Sequence, residues 1–140
     1  MAVAVWRFWL LTLVLTALII STAASAQTAP GTAGPGSTRF LVYFDEFSAH
    51  LSEEAKTVIA DVAKRARESG AHGIVVQARA SATGTSETNK YLAQTRSSIV
   101  ADQLEADGIA RTMIRQEPIG QTGSSDPTVY NRRVDIIIEP

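Results

Sequence analysis

From residue 39 onward the chain alternates between two hydrophobic periods. Arg39-Phe40-Leu41-Val42-Tyr43-Phe44 is a short apolar and aromatic run, which predicts a first strand. Ser52 then precedes Glu53 and Glu54, an N-cap followed by acids in the first turn. Ala55, Val58, Ile59, Val62, Ala63 and Ala66 follow at three- and four-residue spacing, and Gly70 closes the stretch. This predicts a helix over 52–69. Gly73 to Arg79 is a second apolar strand, and Ala80 to Ser86 is a loop of small residues around Gly84. A second helix is expected to begin between Ser86 and Asn89 and to run to Asp107. It carries Leu92, Ile99, Val100 and Leu104 on one stripe, with Gly108 at its end. Met113 to Ile119 reads as a third strand, Gly120 to Thr128 as a loop, and Val134 to Glu139 as the last strand. The order β-α-β-α-β-β predicts an α/β two-layer sandwich, a mixed four-stranded sheet with both helices on one face. Its other face must be partly polar or covered by something else.

The stretch before this domain has a different character. Arg7 is followed by a run from Phe8 to Ile20 that is apolar except for Thr12 and Thr16, and then by Ala24-Ser25-Ala26. That is the pattern of a secretory signal peptide, residues 1–26, with cleavage expected after Ala26. An uncleaved anchor is the other reading, if the run is stretched from Phe8 to Ala26. Both readings place the rest of the chain outside the cytoplasm, and cleavage leaves no expected membrane span. Residues 27–38 lack a large apolar side chain and hold several glycines and prolines, which predicts a flexible linker. The domain is then 39–140.

Composition narrows the chemistry. With 140 residues the chain has room for one domain of ordinary size, and 13 basic against 14 acidic residues give a formal charge of -1. Nucleic-acid binding, which calls for a basic excess, is not expected. The absence of cysteine excludes a disulfide scaffold, a thiolate metal site, a cysteine nucleophile and a lipidated cysteine. His50 and His72 stand far apart beside turns, so no metal and no cofactor is expected. No hydroxyl nucleophile stands with a histidine and an acid, and Asp45-Glu46 adjoins a strand end without a visible partner. The chain does not read as an enzyme.

Three features remain as candidate binding chemistry. Arg96 lies four residues after Leu92 and four before Val100, which places a guanidinium at the edge of an apolar stripe. Its stem could pack on the core while its head reaches water or an acid; its planar fork equally suits a ligand carboxylate or phosphate. The loop from Ala80 to Ser86 joins a strand end to a helix start, where free backbone N–H groups can meet an anion or simply be capped. It matches neither phosphate-binding glycine pattern. Asn131-Arg132-Arg133 precedes the last strand, where alternation leaves one arginine as a solvated edge residue.

These residues resemble a known family. Val42-Tyr43-Phe44-Asp45 with Ser48-Ala49 and Leu51, then Thr83-Gly84, Asn89, Leu92 and Arg96, and finally Asn131-Arg132-Arg133-Val134-Asp135-Ile136 match in order the motifs of the OmpA-like C-terminal domain. That domain occurs in envelope proteins of Gram-negative bacteria, including peptidoglycan-associated lipoproteins and flagellar stator proteins, and the match spans about residues 40–139. The resemblance implies a periplasmic protein at the outer membrane or cell wall that binds peptidoglycan non-covalently through the meso-diaminopimelate of the stem peptide. It implies that Arg96 holds the ligand carboxylate, with Ser81, Thr83, Gly84, Asn89, Asn131 and Arg132 around it.

One position departs from the family. Where the family's G-H-T-D supplies an aspartate for the ligand ammonium, this chain has Ala78-Arg79-Ala80-Ser81. A charge-assisted hydrogen bond contributes about 1.5–3 kcal/mol, so its loss weakens binding by about tenfold to a hundredfold. Two other readings therefore stand beside wall binding. One is an OmpA-like scaffold that has lost it and serves as a protein-interaction domain in the envelope. The other is a site for a different anion, built from Arg79 and Arg96.

Overall fold

The computed structural model describes residues 36–121 and 129–140. The signal peptide expected over 1–26 and most of the linker expected over 27–38 lie outside these residues. The elements follow the predicted order: β1 (Thr38–Tyr43), α1 (Glu53–Ser69), β2 (Gly73–Ala80), α2 (Ser86–Ala106), β3 (Ile114–Gln121) and β4 (Arg133–Glu139). Short 3-10 turns at Arg111–Met113 and Val129–Asn131 introduce β3 and β4.

The strands lie in the order β1-β4-β2-β3. β4, the last in sequence, enters between β1 and β2 and runs antiparallel to both, whereas β2 and β3 are parallel. The connections β1-α1-β2 and β2-α2-β3 consequently step the same way across the sheet. Right-handed crossovers that step the same way put their helices on the same face. The sheet is mixed, and both helices pack on one side of it, as the periodicity predicts.

Alternate strand residues supply the core. Val42, Val134, Ile136, Ile138, Ile74, Val76 and Ala78 form one buried cluster with Ile59, Val62, Ala63 and Ala66 of α1 and Ala93, Val100 and Leu104 of α2. Each large aliphatic side chain buried in this way contributes about 1.5–3 kcal/mol. The ends of α1 are fixed by local chemistry. Ser52 Oγ accepts the Ala55 N–H at 3.1 Å, and Gly70, at φ 65°, donates its own N–H back to the last turn.

Several boundaries differ from expectation. β1 begins at Thr38, which pairs with Ile138, and ends at Tyr43. Met113 belongs to the 3-10 turn, and β3 runs on to Gln121, two residues past the expected end at Ile119. The register shift responsible pairs Ala78 with Pro118 and Arg79 with Gly120, so one residue bulges on an edge strand where proline is tolerated. Gly120, at φ 75°, ends the bulge close against Lys90 of α2. The buried stripe of α2 is also rotated from the expected one. It runs through Asn89, Ala93, Arg96, Ser97, Val100, Ala101 and Leu104, while Leu92 and Ile99 are only half-buried. Small side chains on the buried line bring the helix close to the sheet, and the larger ones flank it.

Candidate functional site

The C-terminal ends of β1, β2 and β3, the start of β4 and the N-termini of both helices meet at one end of the molecule. In open α/β sheets this is where ligands bind. Side chains on a helix lean toward its N-terminus, so Arg96, although midway along α2, extends toward this end. It is not at the edge of the apolar stripe, as its spacing predicts, but in the middle, with 0% of its surface exposed.

The Arg96 guanidinium is bound by main chain. Nε donates to the Ser48 carbonyl at 2.8 Å, Nη2 to the Asp45 carbonyl at 2.8 Å and Nη1 to the Arg79 carbonyl at 3.2 Å. Its carbon lies 5.0 Å from the centre of the Phe44 ring. Among the described residues no carboxylate pairs with it; carbonyl dipoles and a π face stand where a counter-ion would be. Burial, and then the nearby positive charge of Arg132, push its pKa down to about 10.

Two of those three carbonyls belong to one turn. The Ser48 N–H donates to the Asp45 carbonyl at 3.2 Å, closing Asp45-Glu46-Phe47-Ser48, and Phe47 has φ 54°. A positive φ at the third position is the mark of a type II turn, and a non-glycine residue there is strained. Glu46 therefore sits at the outer corner. It is not without a partner, as the sequence led one to expect: its carboxylate lies 3.9 Å from Arg132 Nη1. Sequence reasoning missed this turn because its contribution to Arg96 is made by carbonyls, which every residue possesses.

The other expected site residues divide into two groups. Ser81 follows β2 directly and is buried, as are Asn89, on the buried face of α2, and Asn131, in the turn before β4. The Asn89 Nδ2 and Arg132 Nε atoms are buried without a hydrogen-bond partner among the described residues. Thr83 and Gly84 are exposed, and the hydrogen bonds of Arg96 go to other residues. The N-terminus of α2 is capped from within, since Thr85 Oγ1 accepts the Thr88 N–H at 3.1 Å.

Arg79 and Arg133 lie on the other face of the sheet. Ala78 and Ala80 point toward the helices, so the Arg79 side chain points away, and only its carbonyl reaches Arg96. Its Nε lies 3.5 Å from Oδ2 of Asp135, a residue of β4 with 0% exposure. Arg133 Nε donates to the same carboxylate at 2.7 Å, and Arg39 Nη1 lies 3.9 Å from it. A two-base site made of Arg79 and Arg96 is thus not formed. Nor is either arginine of the Arg132-Arg133 pair a solvated edge residue, for each side chain keeps only 23% exposure.

Among the described residues no cluster of histidine and acidic side chains is placed to hold a metal, and no helix is long and apolar enough to cross a membrane. A cavity of about 380 Å³ lined by Gly36, Thr38, Arg65, Ile138 and Pro140 lies at the opposite end of the sheet from Arg96.

The sequence matches the model of the OmpA family over residues 43–134, a span that includes the Asp45 turn, Arg96 and Arg132. The chain belongs to the OmpA family. Solved structures agree in fold. The OmpA-like domain of FopA1 from Francisella tularensis is 21% identical with a TM-score of 0.65, covering 74% of this chain and 73% of that one. The peptidoglycan-associated lipoprotein of Burkholderia pseudomallei is 22% identical with a TM-score of 0.61, over 71% of this chain and 89% of that one. An outer membrane protein of Borrelia burgdorferi is 20% identical with a TM-score of 0.57, over 74% and 88%. No curated protein matches the sequence significantly.

Proposed function

We propose that this OmpA-family chain is a non-enzymatic, periplasmic module that binds peptidoglycan non-covalently through the diaminopimelate of the stem peptide. The observation that carries the reading is the meeting of two guanidiniums, Arg96 and Arg132, at the ligand-binding end of the sheet, with no carboxylate among the described residues paired to Arg96. A ligand carboxylate supplies the missing negative charge there, and Arg132 and Asn89 each offer a donor that has no partner among the described residues. Membership of the OmpA family and the likeness to a lipoprotein described as peptidoglycan-associated support the same assignment. Ser81, Thr83, Gly84, Asn89, Asn131 and Arg132 would surround the ligand, with Arg96 behind them.

The test is co-sedimentation of the purified protein with sacculi whose stem peptides carry diaminopimelate, against a tube without sacculi. Wild type is expected in the pellet only with sacculi, and Arg132→Ala in the supernatant. A second reading, an envelope interaction scaffold that has lost wall binding, is favoured by the complete burial of Arg96 and by Ser81 at the acid position. Wild type remaining in the supernatant at low ionic strength decides for the scaffold.

A further inference from the structure

We infer that Glu46 supplies the acid that recognises the ligand ammonium, so that the carboxylate missing at Ser81 has been replaced from the other side of the site. The inference rests on the wall-binding reading. A diamino acid end group presents an ammonium and a carboxylate on one carbon atom, and its receptor needs one anion and one cation side by side. Glu46 and Arg132 are such a pair. Their 3.9 Å separation is longer than a hydrogen bond, so no direct bond has to be broken when a zwitterion of opposite order lies alongside the pair, its ammonium on Glu46 and its carboxylate on Arg132. Both are partly open to solvent, Glu46 at 47% of its side chain.

The main chain holds Glu46 in place. Arg96 binds the carbonyls of Asp45 and Ser48, the first and last residues of the turn, and the Ser48 N–H closes it. Glu46 stands at the second position, fixed in a turn whose third position, Phe47, adopts a left-handed conformation. Arg96 is thereby a positioning residue: it fixes the turn on which the recognising carboxylate stands. Asp45 is the neighbouring acid, but no ion pair joins it to Arg132, and it serves as the control.

Calorimetric titration with a soluble muropeptide bearing free diaminopimelate, and with the same muropeptide acetylated on its free amine, tests the assignment. Glu46→Gln, Asp45→Asn and the double variant Glu46→Gln/Ser81→Asp are compared with wild type, with urea unfolding midpoints as a check on folding. Wild type is expected to bind the free-amine probe about tenfold to a hundredfold more tightly than the acetylated one, and Glu46→Gln to lose that preference. Asp45→Asn should keep it, and the double variant should regain it. Glu46→Gln retaining wild-type affinity and preference overturns the role of Glu46 while leaving wall binding intact. Failure of wild type to bind either probe or sacculi removes the wall-binding reading, and this inference with it.

Discussion

The two faces of one sheet each bury a full charge, and they neutralise it in different ways. On the helix side Arg96 is surrounded by three carbonyls and a phenyl ring, with no acid paired to it among the described residues. On the opposite side Asp135 is ringed by Arg39, Arg79 and Arg133. Arg79 serves both, giving its carbonyl to one and its guanidinium to the other. The cation's partners are fixed by the fold itself, because a carbonyl cannot turn away without breaking the turn that carries it. The anion's partners are long side chains with partial access to water, and they can reorganise. The first centre should be brittle and the second forgiving.

The largest expected effect is at Arg96. Arg96→Ala takes a donor away from three carbonyls and opens a cavity, which should cost about 3–5 kcal/mol. That is a large part of the 5–15 kcal/mol typical of a domain's total stability. Arg96→Lys keeps the charge but not the fork, and should cost about 2 kcal/mol. Urea unfolding measures both. A loss under about 1 kcal/mol for Arg96→Ala would show that the turn at Asp45–Ser48 does not depend on the guanidinium.

Asp135→Ala comes next. Removing one partner of a wholly buried ion pair commonly costs about 3–5 kcal/mol, but these cations can reach solvent, so about 2 kcal/mol is expected by the same measurement. If the loss equals that of Arg96→Ala, the opposite face is as rigid as the helix side and the contrast between them fails. Arg79→Ala should cost less, about 1 kcal/mol, since Asp135 keeps Arg133 at 2.7 Å and the residue 79 carbonyl stays in place for Arg96. In a double-mutant cycle with Arg96→Lys the two losses should add to within about 0.5 kcal/mol. A larger coupling would mean that the two faces communicate through β2.

These centres also show what a sequence discloses. The elements and the one-sided placement of the helices were legible because hydrophobic period and chain connectivity decide them. The insertion of β4 between β1 and β2 was not, since periodicity is silent on strand order. Arg96 was visible as a charge at an apolar spacing, but its depth was misjudged. The small residues Ala93, Ser97 and Ala101 mark the buried line of α2, whereas the eye follows Leu92 and Ile99. Its partners left no trace because they are main-chain atoms. Glu46 looked idle for a related reason: its partner Arg132 is 86 positions away, brought near by the Phe44 N–H bond to the Arg132 carbonyl at 2.9 Å. The departure at Ser81, by contrast, was read directly, because it is a change of residue type within a recognised motif.

Salt gives the smallest effect and separates the two centres most cleanly. The Debye length falls to about 3 Å at 1 M ionic strength, so interactions that involve partly exposed ions weaken while dry contacts between a cation and carbonyls do not. The Arg39 and Arg79 guanidiniums lie 3.9 and 3.5 Å from Asp135 and keep some solvent access. Comparing each variant with wild type cancels the general effect of salt on burial. The cost of Asp135→Ala should then shrink by about 0.5 kcal/mol between 0.05 and 1 M sodium chloride. The cost of Arg96→Lys, a change that keeps the charge and alters only its geometry, should stay constant. Equal salt responses would mean that Arg96 meets a mobile counter-ion from solution, and its neutralisation by the main chain alone would have to be given up.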